Sequence, residues 1–367
     1  MSLFSADDDR HMRHALSLAE RGLTTTQPNP RVGCVLVREG VVVGEGWHQR
    51  AGEAHAEIHA LRMAGERAFG ATAFVTLEPC GLHGRTPPCA DALIQAGVAR
   101  VVIASEDRFQ HEGGAIERMR AAGIQVQLGL LRDAARELNI GFFKRVETGR
   151  PFVRLKLAMS LDGRTALASG ESKWITGKAA RADVQHWRAR SSAIVTGIGS
   201  VLTDDPALTV RLSDQAFQPP LRVILDSHVR LPAHSQLATD GLAPVLRCHA
   251  EHVPATPLGE IENLALPAQG ATSSHAGLDL QALLNALAQR GCNEILFECG
   301  PTLAASVLSQ GLCDELLLYV APVFLGDQAR PQLLGLNPSQ LANALRMAVV
   351  EHVGMGDDIR LRLRPRC

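Results

Sequence analysis

One histidine, one glutamate and two cysteines have the residue types and order of a catalytic zinc site. His55 and Glu57 stand two residues apart, and Cys80 and Cys89 follow, each directly after a proline. One neutral imidazole and two thiolates give Zn²⁺ three protein ligands, and a water can take the fourth tetrahedral position. A structural zinc site would normally fill that position with a fourth cysteine or histidine. The pattern therefore predicts zinc bound by His55, Cys80 and Cys89, with Glu57 as the proton shuttle.

The same order of residues is found in zinc-dependent nucleobase deaminases. Their general signature is H-x-E followed by P-C-x-x-C, whereas eight residues separate the two cysteines here. The chemistry expected is hydrolytic deamination, in which a water attacks an amidine-like carbon and Glu57 relays a proton to departing ammonia. The alternative is a chance assembly of a core histidine, a surface glutamate and buried cysteines. The joint occurrence of all four residues with the prolines favours catalysis.

Alternating strands and helices are predicted to position these residues. Apolar spacing predicts helices at 7–23, 54–64, 90–97 and 115–122, and strands at 34–37, 41–43, 73–77, 101–104 and 124–128. Such repeated units indicate a three-layer α/β sandwich. Residues i and i+2 do not share a face in mid-helix, so we expect His55 and Glu57 in a first turn. Proline before Cys89 marks a second helix start, and two helix N-termini would favour thiolate over thiol.

Two neighbouring segments are candidates for the same pocket. Asn29 has the amide pair needed to bind a pyrimidine edge, although an Asn-Pro turn explains it equally well. The segment Gly81-Leu82-His83-Gly84-Arg85-Thr86 places a histidine and an arginine between the two cysteines. That suits a phosphorylated substrate, and a solvated loop is the alternative.

The second half contains a second alternation of strands and helices. The pattern predicts strands at 152–159, 193–196, 223–226, 294–298, 316–320, 348–352 and 359–363, and helices at 178–190 and 278–289. Residues 231–275 have weak periodicity. The turn-forming stretch 148–151 is the predicted junction, which divides the chain into domains 1–147 and 148–367.

Ligand-binding signals in the second half are weaker. Gly197-Ile198-Gly199-Ser200 is only a fragment of G-x-G-x-x-G, so a Rossmann site is unsupported. Gly300-Pro301-Thr302 is a better anion site, because a proline-led helix presents free N–H groups there. The polar stretches 160–165 and 202–211 follow predicted strands, where α/β sheets commonly bind ligands. Ordinary turn chemistry is the alternative for all of these.

Length and composition limit the protein class. A chain of 367 residues is expected to form two domains. With 46% hydrophobic and 20% charged residues and a net charge of −1, it lacks the basic excess of a nucleic-acid binder. The N-terminus lacks the apolar region of a signal peptide, and no apolar run approaches membrane-spanning length. We therefore expect a cytoplasmic protein that binds neither membrane nor nucleic acid, with its cysteines reduced or metal-bound.

Taken together, the motifs resemble one family along nearly the whole chain, the bifunctional riboflavin-biosynthesis deaminase–reductases. In the first half they are Asn29-Pro30-Arg31-Val32-Gly33, His55-Ala56-Glu57, Thr76-Leu77-Glu78-Pro79-Cys80 and Gly84-Arg85-Thr86-Pro87-Pro88-Cys89. In the second half they are Lys156-Leu157-Ala158-Met159-Ser160-Leu161-Asp162-Gly163-Arg164, Ser172-Lys173-Trp174-Ile175-Thr176 and Asp204-Asp205-Pro206-Ala207-Leu208-Thr209. The eight-residue cysteine separation is this family's own spacing.

The resemblance implies a cytidine-deaminase-like three-layer domain followed by a dihydrofolate-reductase-like α/β domain. The first would use Zn²⁺ to deaminate 2,5-diamino-6-(5-phosphoribosylamino)pyrimidin-4-one. The second would use NADPH to reduce the ribosyl chain to ribityl at the sugar C1′. A small phosphorylated pyrimidine is thus the expected partner, and a homo-oligomer, dimer or tetramer, is the expected assembly.

Residue roles also follow from the resemblance. The implied NADP contacts are Ala158, Trp174, Ser200, Asp204, Ser227, Gly300, Pro301, Thr302, Leu303, Ala304, Ala305 and Ser306. The implied substrate contacts are Asn29 in the deaminase and Ser172, Arg188, Leu208, Arg211 and Glu298 in the reductase. The forked donors of the two arginines suit a sugar phosphate. Lys156 is the candidate acid that protonates the opening sugar.

Two departures from the family pattern lie near the expected deaminase pocket. Relatives usually carry Ser-His directly after the first zinc cysteine, where this chain has Gly81-Leu82 and places His83 one residue later. Relatives also tend to have Asp-Pro-Asn-Pro after the fourth strand, where Glu106-Asp107-Arg108-Phe109-Gln110-His111 stands here. Both departures leave the zinc ligands intact and concern substrate contacts.

Two other functions compete with the bifunctional enzyme. One is a nucleobase or nucleoside deaminase whose second half no longer reduces anything, which the Asp204, Arg211 and Gly300 to Thr302 motifs disfavour. The other is a binding protein in which zinc has a purely structural role and only stabilises the fold. The unfilled fourth ligand position and Glu57 favour an enzyme over that binding protein.

Overall fold

The protein forms two compact units, Met1–Glu147 and Thr148–Cys367. The structure is a computed structural model, and it describes residues 3–82, 88–107, 114–269 and 277–366. Within these ranges, no helix combines the length and the apolar character needed to cross a membrane.

The first unit is built on a five-stranded sheet in the order β2-β1-β3-β4-β5. Its elements are α1 (Ala6–Glu20), β1 (Gly33–Arg38), β2 (Val41–Trp47), α2 (Ala56–Ala64), a 3₁₀ turn (Gly65–Ala68), β3 (Thr72–Leu77), α3 (Cys89–Gln95), β4 (Arg100–Ser105), α4 (Ala115–Ala121), β5 (Gln125–Leu128), α5 (Arg132–Leu138) and α6 (Ile140–Thr148). Strand β1 pairs antiparallel with β2 and β3, and the run from β3 to β5 is parallel.

Helices cover both faces of this sheet because the strand side chains alternate. On β1, Cys34 and Leu36 lie in one apolar cluster with residues of α2, α3 and α4. Val35 and Val37 lie in another cluster, with residues of α1 and α5. The predicted three-layer α/β sandwich is confirmed.

Glycines bring the helices of this unit very close to the sheet. A Cβ atom at Gly33 would lie 1.9 Å from the Ala15 carbonyl oxygen, so α1 rests directly on β1. A Cβ at Gly46 would lie 2.5 Å from His59 Cβ and 2.7 Å from the Ala56 carbonyl oxygen. The start of α2 is therefore positioned by direct contact with the backbone of β2.

The second unit is built on a nine-stranded sheet in the order β11-β10-β9-β8-β14-β6-β15-β18-β17. Its elements are β6 (Phe152–Ser160), β7 (Arg164–Ala166), α7 (Lys178–Arg190), β8 (Ala193–Gly197), α8 (Ile198–Asp204), β9 (Leu221–Leu225), α9 (Gln236–Thr239), β10 (Val245–Ala250), β11 (Glu262–Leu266), β12 (Ala268–Gln269), β13 (Gly277–Leu278), α10 (Leu280–Gln289), β14 (Glu294–Glu298), α11 (Pro301–Ser309), β15 (Glu315–Ala321), β16 (Arg330–Pro331), a 3₁₀ turn (Leu341–Asn343), β17 (Met347–Met355) and β18 (Asp358–Pro365). The run from β11 to β15 is parallel, and β18 and β17 continue it antiparallel.

Helices also cover both faces of the second sheet. Helices α10 and α11 pack on one face, where Leu284 and Val307 join Leu155 and Phe297 in an apolar cluster. Helix α7 packs on the other face, where Trp187 lies with Leu296 and Leu317. Because both faces are covered, ligands reach the sheet at the ends of its parallel strands.

Several parts of the second unit differ from the sequence prediction. The weakly periodic stretch 231–275 contains β10 and β11, whose apolar pattern is interrupted by Arg247 and Asn263. The two side chains are hydrogen-bonded to each other, since Arg247 Nε donates to Asn263 Oδ1 at 2.8 Å, and Arg247 also donates to the Thr256 carbonyl oxygen. In addition, residues 202–204 belong to α8 rather than to a loop, because Ile198 and Val201 bury an apolar helix face. In the first unit, helices α5 and α6 were also not predicted.

Candidate metal centre and ligand cavity

Three side chains of the first unit converge on one point. His55 Nδ1 lies 3.5 Å from Cys80 Sγ and 3.3 Å from Cys89 Sγ. All three donor atoms lie within 4.8 Å of one another, and among the described residues this is the one such cluster of metal-binding side chains. Zinc bonds of about 2.0–2.3 Å at tetrahedral angles place neighbouring ligands about 3.5 Å apart. The donor set and its spacing therefore fit a zinc ion.

Helix starts position the donors. His55 is the N-cap of α2 with an extended backbone, and Cys89 is the first residue of α3. Cys80 lies in the loop after β3, where its carbonyl oxygen accepts from the Ala90 amide at 3.2 Å. The Cys89 amide also donates to Cys80 Sγ, at 3.2 Å. At the start of α2, His55 and Glu57 both reach the centre, which they could not do from mid-helix.

A hydrogen bond between the Cys80 and Cys89 side chains shifts their pKa values in opposite directions. A hydrogen bond from the Cys89 thiol lowers the pKa of Cys80 to about 4, with further help from His55 and the Cys89 amide. The same hydrogen bond, together with burial, raises the pKa of Cys89. Binding of a divalent cation would displace the remaining proton, as thiolate ligation requires.

Glu57 is a buried carboxyl group beside this centre. It is 3% exposed, and its Oε2 atom has no hydrogen-bond partner in the described part of the chain. Burial, reinforced by the negative charge of Cys80, raises the pKa of Glu57 to about 7. A carboxyl that exchanges its proton near neutral pH, with one oxygen unsatisfied, is suited to general acid–base work.

His48 connects Asn29 to the metal centre, and His48 was not identified from the sequence. The Asn29 amide nitrogen lies 3.0 Å from His48 Nε2, and His48 Nδ1 lies 3.2 Å from the Ala54 carbonyl oxygen. Because a carbonyl only accepts, Nδ1 donates and Nε2 accepts from Asn29. The His48 ring meets His55 edge-on at 5.3 Å. A lone histidine after β2 carries no local signal for this role.

Parts of the two departures near this pocket lie outside the described residues. His83 and Arg85 fall in 83–87, and the stretch from Arg108 to His111 falls in 108–113. Of the loop after β4, the Asp107 amide donates to Glu78 Oε2 at 3.0 Å.

In the second unit, a cavity of about 890 Å³ opens at the carboxyl ends of β6, β8 and β14 and at the start of α11. Among the predicted reductase residues, those that line it are Lys156, Ala158, Ser172, Arg188, Ser200, Asp204, Leu208, Glu298, Gly300, Pro301, Thr302 and Leu303. The glycine fragment also contributes, since Gly197 and Gly199 line the cavity. Among the predicted residues, the parallel strands and α11 bring together positions up to 147 apart in sequence, Lys156 and Leu303.

The floor of the cavity contains a buried charge cluster. Arg188 binds Glu298 through two hydrogen bonds of 2.5 and 3.0 Å and donates to the Thr209 carbonyl oxygen at 2.9 Å. Burial alone would raise the pKa of Glu298, but the Arg188 guanidinium outweighs it and holds that pKa below its ordinary value. Burial lowers the pKa of Lys156, which Glu298 partly offsets. A lysine of lowered pKa beside an ionised glutamate can exchange protons with a ligand.

The other predicted contacts lie outside the cavity lining. Trp174 is 68% exposed and lies under the Arg181 guanidinium at 4.4 Å. The Ser227 carbonyl oxygen accepts from the Ala250 amide, and the Arg211 charge acts on Glu298. The remaining residues outside the lining are Ala304, Ala305 and Ser306, of which the two alanines are buried in α11. The roles of all these residues stay predictions.

Several residues that line the cavity were not found from the sequence, and Arg330 and Gln332 are the two with long polar side chains. Arg330 and Gln332 line the wall formed by β16 and the residues that follow it. Their sequence context, Gly326-Asp327-Gln328-Ala329-Arg330, is that of a solvated turn and gives no signal for a ligand site.

The chain matches two family models and several solved structures. Residues 5–105 match the cytidine and deoxycytidylate deaminase zinc-binding region, and residues 151–361 match the RibD C-terminal domain. Riboflavin biosynthesis protein RibD of Escherichia coli (strain K12) is 49% identical over 97% of this chain and 99% of that protein. The structure of Acinetobacter baumannii RibD, form 1, is 44% identical, with a TM-score of 0.90 over 98% of this chain and 99% of that one.

A third relative carries a more specific name. The Thermotoga maritima diaminohydroxyphosphoribosylaminopyrimidine deaminase/5-amino-6-(5-phosphoribosylamino)uracil reductase is 32% identical. Its structure matches with a TM-score of 0.86, over 98% of this chain and 99% of that one.

Proposed function

The chain belongs to the RibD family of riboflavin biosynthesis, a deaminase and a reductase in one polypeptide, and we propose which substrates, domains and residues serve its two reactions. The family, the two activities and the α/β class predicted from the motifs are confirmed. Its cofactors are zinc in the deaminase and NADPH in the reductase. Residues 1–147 form the deaminase domain and 148–367 the reductase domain, a division supported by the two compact units.

The proposed first substrate is 2,5-diamino-6-(5-phosphoribosylamino)pyrimidin-4-one. Deamination followed by NADPH reduction of the ribosyl chain then gives the ribityl product. The name of the Thermotoga maritima relative supports this choice. The observation that carries the proposal is the convergence of His55, Cys80 and Cys89 beside the buried carboxyl of Glu57.

Deamination uses the donors as ligands and Glu57 as the proton carrier. When bound by His55, Cys80 and Cys89, zinc lowers the pKa of a coordinated water and so supplies a nucleophile at neutral pH. Glu57 holds the water's proton at Oε2, its unpartnered oxygen, and delivers it to the departing amino group. A C–N bond is exchanged for C=O, and ammonia leaves. Asn29, oriented by His48, offers its amide to the pyrimidine edge.

Reduction takes place in the cavity of the second domain. NADPH, when bound, supplies the hydride for the sugar C1′. Lys156 delivers a proton from Nζ to the sugar ring oxygen, and its lowered pKa favours that transfer. Arg188 and Glu298 position the sugar with Ser172, Leu208 and Arg211. The cofactor contacts are Ala158, Trp174, Ser200, Asp204, Ser227 and the stretch Gly300 to Ser306.

The cell compartment and the assembly complete the proposal. None of the seven cysteines in the described part of the chain forms a disulfide, and the proposed compartment is the cytoplasm. The only partner that the two reactions require is a small phosphorylated pyrimidine, with no nucleic acid and no membrane. A homo-oligomer, dimer or tetramer, is the proposed assembly.

The function is tested by incubating purified protein with the diaminopyrimidine ribotide, with and without NADPH, while ammonia and NADPH absorbance are followed. The proposal expects ammonia release in both samples and NADPH oxidation only after ammonia has appeared. Ammonia release without NADPH oxidation would instead support the deaminase with a silent second domain. If neither ammonia release nor NADPH oxidation were observed, both proposed activities would be contradicted.

A further inference from the structure

The wall of the reductase cavity that faces α11 carries two donors to which no role is assigned. Arg330 and Gln332 are residues i and i+2 on the segment that includes β16, and both line the cavity. Arg330 pairs with Ala166 of β7, which also lines it. Two residues further along, the Leu334 amide donates to the Pro301 carbonyl oxygen at 3.3 Å. This segment therefore lies against the first turn of α11.

Arg330 differs from the other cations that line the cavity. Among the described lining residues the cations are Lys156, Arg188 and Arg330. Lys156 and Arg188 both act on Glu298, and the Arg188 side chain is held there by two hydrogen bonds. Arg330 makes no side-chain hydrogen bond or ion pair with any residue that the structure describes. Its charge is therefore available to an anionic ligand.

Gln332 adds a second unused donor on the same wall. Its Nε2 atom is buried and has no hydrogen-bond partner among the described residues. The Gln332 backbone amide is occupied, since it donates to the Gly163 carbonyl oxygen at 3.1 Å. A buried amide nitrogen without an acceptor costs free energy unless a ligand supplies one.

Gly170 fixes the place of the Arg330 guanidinium. A Cβ atom at Gly170 would lie 3.0 Å from one guanidinium nitrogen of Arg330 and 3.4 Å from its Cζ. Gly170 has a φ of +94°, which favours glycine, and it also lines the cavity. The guanidinium is thus packed on glycine backbone, and its position does not depend on an acidic partner.

We propose that Arg330 and Gln332 bind the pyrophosphate of NADPH, facing the start of α11. In an α-helix that begins with Pro301, the amides of Thr302 and Leu303 have no partner within the helix and carry partial positive charge. The arginine fork and the Gln332 amide supply further donors from the adjoining wall. The Leu334–Pro301 hydrogen bond brings that wall to this helix end, which favours the pyrophosphate over the other phosphates of either ligand. The inference rests on the proposed reductase function.

The test is equilibrium binding, measured by nucleotide fluorescence on the full-length zinc-loaded protein. Arg330→Gln should raise the Kd of NADPH and of NADH by the same factor, roughly 10- to 100-fold, because both carry the pyrophosphate. Arg330→Lys should recover part of the loss, and Gln332→Leu should weaken both nucleotides less. The matched control is Arg346→Gln, which removes the same charge from an exposed residue outside the cavity lining and should leave both Kd values unchanged.

Other outcomes overturn the inference in distinct ways. If Arg330→Gln raised the Kd of NADPH but not of NADH, Arg330 would lie at the 2′-phosphate. If it raised only the Kd of ribose 5-phosphate, Arg330 would lie at the substrate phosphate. Equal binding by wild type and Arg330→Gln would remove Arg330 from the site. If the wild-type protein bound no NADPH, the proposed reductase function itself would fail. Circular dichroism and thermal unfolding of the full-length protein serve as the fold control for the second unit, and ammonia release as the control for the first; both should be the same in every variant.

Discussion

Glu57 combines three properties that an acid–base residue needs. It is buried, one of its oxygens is unpartnered, and its pKa is raised to about 7. The sequence located it from the H-x-E motif alone, because its distance from His55 is a local feature of the chain. The burial that raises its pKa comes from packing of α2 against distant strands, and no local pattern reports that.

Glu57→Gln should abolish ammonia release while retaining zinc. The amide has the same shape but cannot carry the proton, so we expect deaminase turnover to fall by roughly 10²- to 10⁴-fold. Zinc content by elemental analysis and NADPH oxidation with the deaminated substrate should match the wild type. Glu53→Gln, an exposed glutamate near the same helix start, is the matched control. Full deaminase turnover in Glu57→Gln would show that another group shuttles the proton.

Arg211→Ala should raise the reductase KM for the phosphorylated substrate. Loss of one charge-assisted hydrogen bond to phosphate predicts roughly a 10-fold rise, with ammonia release unchanged. Steady-state kinetics on both reactions measures this, and Arg346→Ala is the control for removal of an exposed arginine. Reductase kinetics equal to wild type would place Arg211 outside the substrate site.

At the scale of elements, helix starts and strand ends determine where the chemistry lies. Sequence periodicity predicted most strands and helices, including α7 and β14 with their observed bounds. It missed β10 because Arg247 and His249 stand within a fully buried strand. It also could not report that β6, β8 and β14 are neighbours, since their order in the sheet is set by long-range pairing. The cavity, and the contribution of Arg330 and Gln332 to its lining, therefore could not be predicted from sequence patterns.

Gly46→Ala should weaken both the fold of the deaminase domain and its zinc binding. The new Cβ would overlap the Ala56 carbonyl oxygen and His59 Cβ, so α2 must move away from β2, taking His55 and Glu57 with it. We expect a loss of about 1–3 kcal/mol in unfolding free energy, measured by urea denaturation. Gly354→Ala, where a Cβ would meet nothing within 4 Å, should change stability little. Equal stability of the two variants would contradict the close contact between α2 and β2.

For the molecule as a whole, buried ion pairs link the stability of the reductase unit to pH. Glu315 is fully buried and binds Arg154 at 2.8 Å, with Arg362 and Arg364 also pairing with it. Arg154 also pairs with Glu294. Burial alone would raise the pKa of Glu315, but Arg154 and its other partners outweigh it and lower that pKa from 4.5 to about 2.

The sign of the pH dependence follows from this lowered pKa. Because the folded-state pKa is below the ordinary value, the stabilisation is complete above about pH 4.5 and is lost as the pH falls towards 2. The loss should reach roughly 3 kcal/mol. Urea unfolding at a series of pH values should show this decline in wild type and in Glu260→Gln, an exposed control. Glu315→Gln should be less stable than wild type at neutral pH, and its unfolding free energy should decline less as the pH falls. A pH dependence equal to that of wild type would show that Glu315 is not the group responsible.

X-ray absorption at the zinc edge, on protein purified without added metal, is the sharpest test of the zinc centre. We expect one zinc per chain with one nitrogen ligand, two sulfur ligands and one light-atom ligand. The expected distances are about 2.3 Å for sulfur and about 2.0–2.1 Å for nitrogen. Cys89→Ser should lose one sulfur and weaken zinc retention. Absence of zinc, or a closed shell of four cysteine and histidine ligands, would contradict the catalytic centre at His55, Cys80 and Cys89.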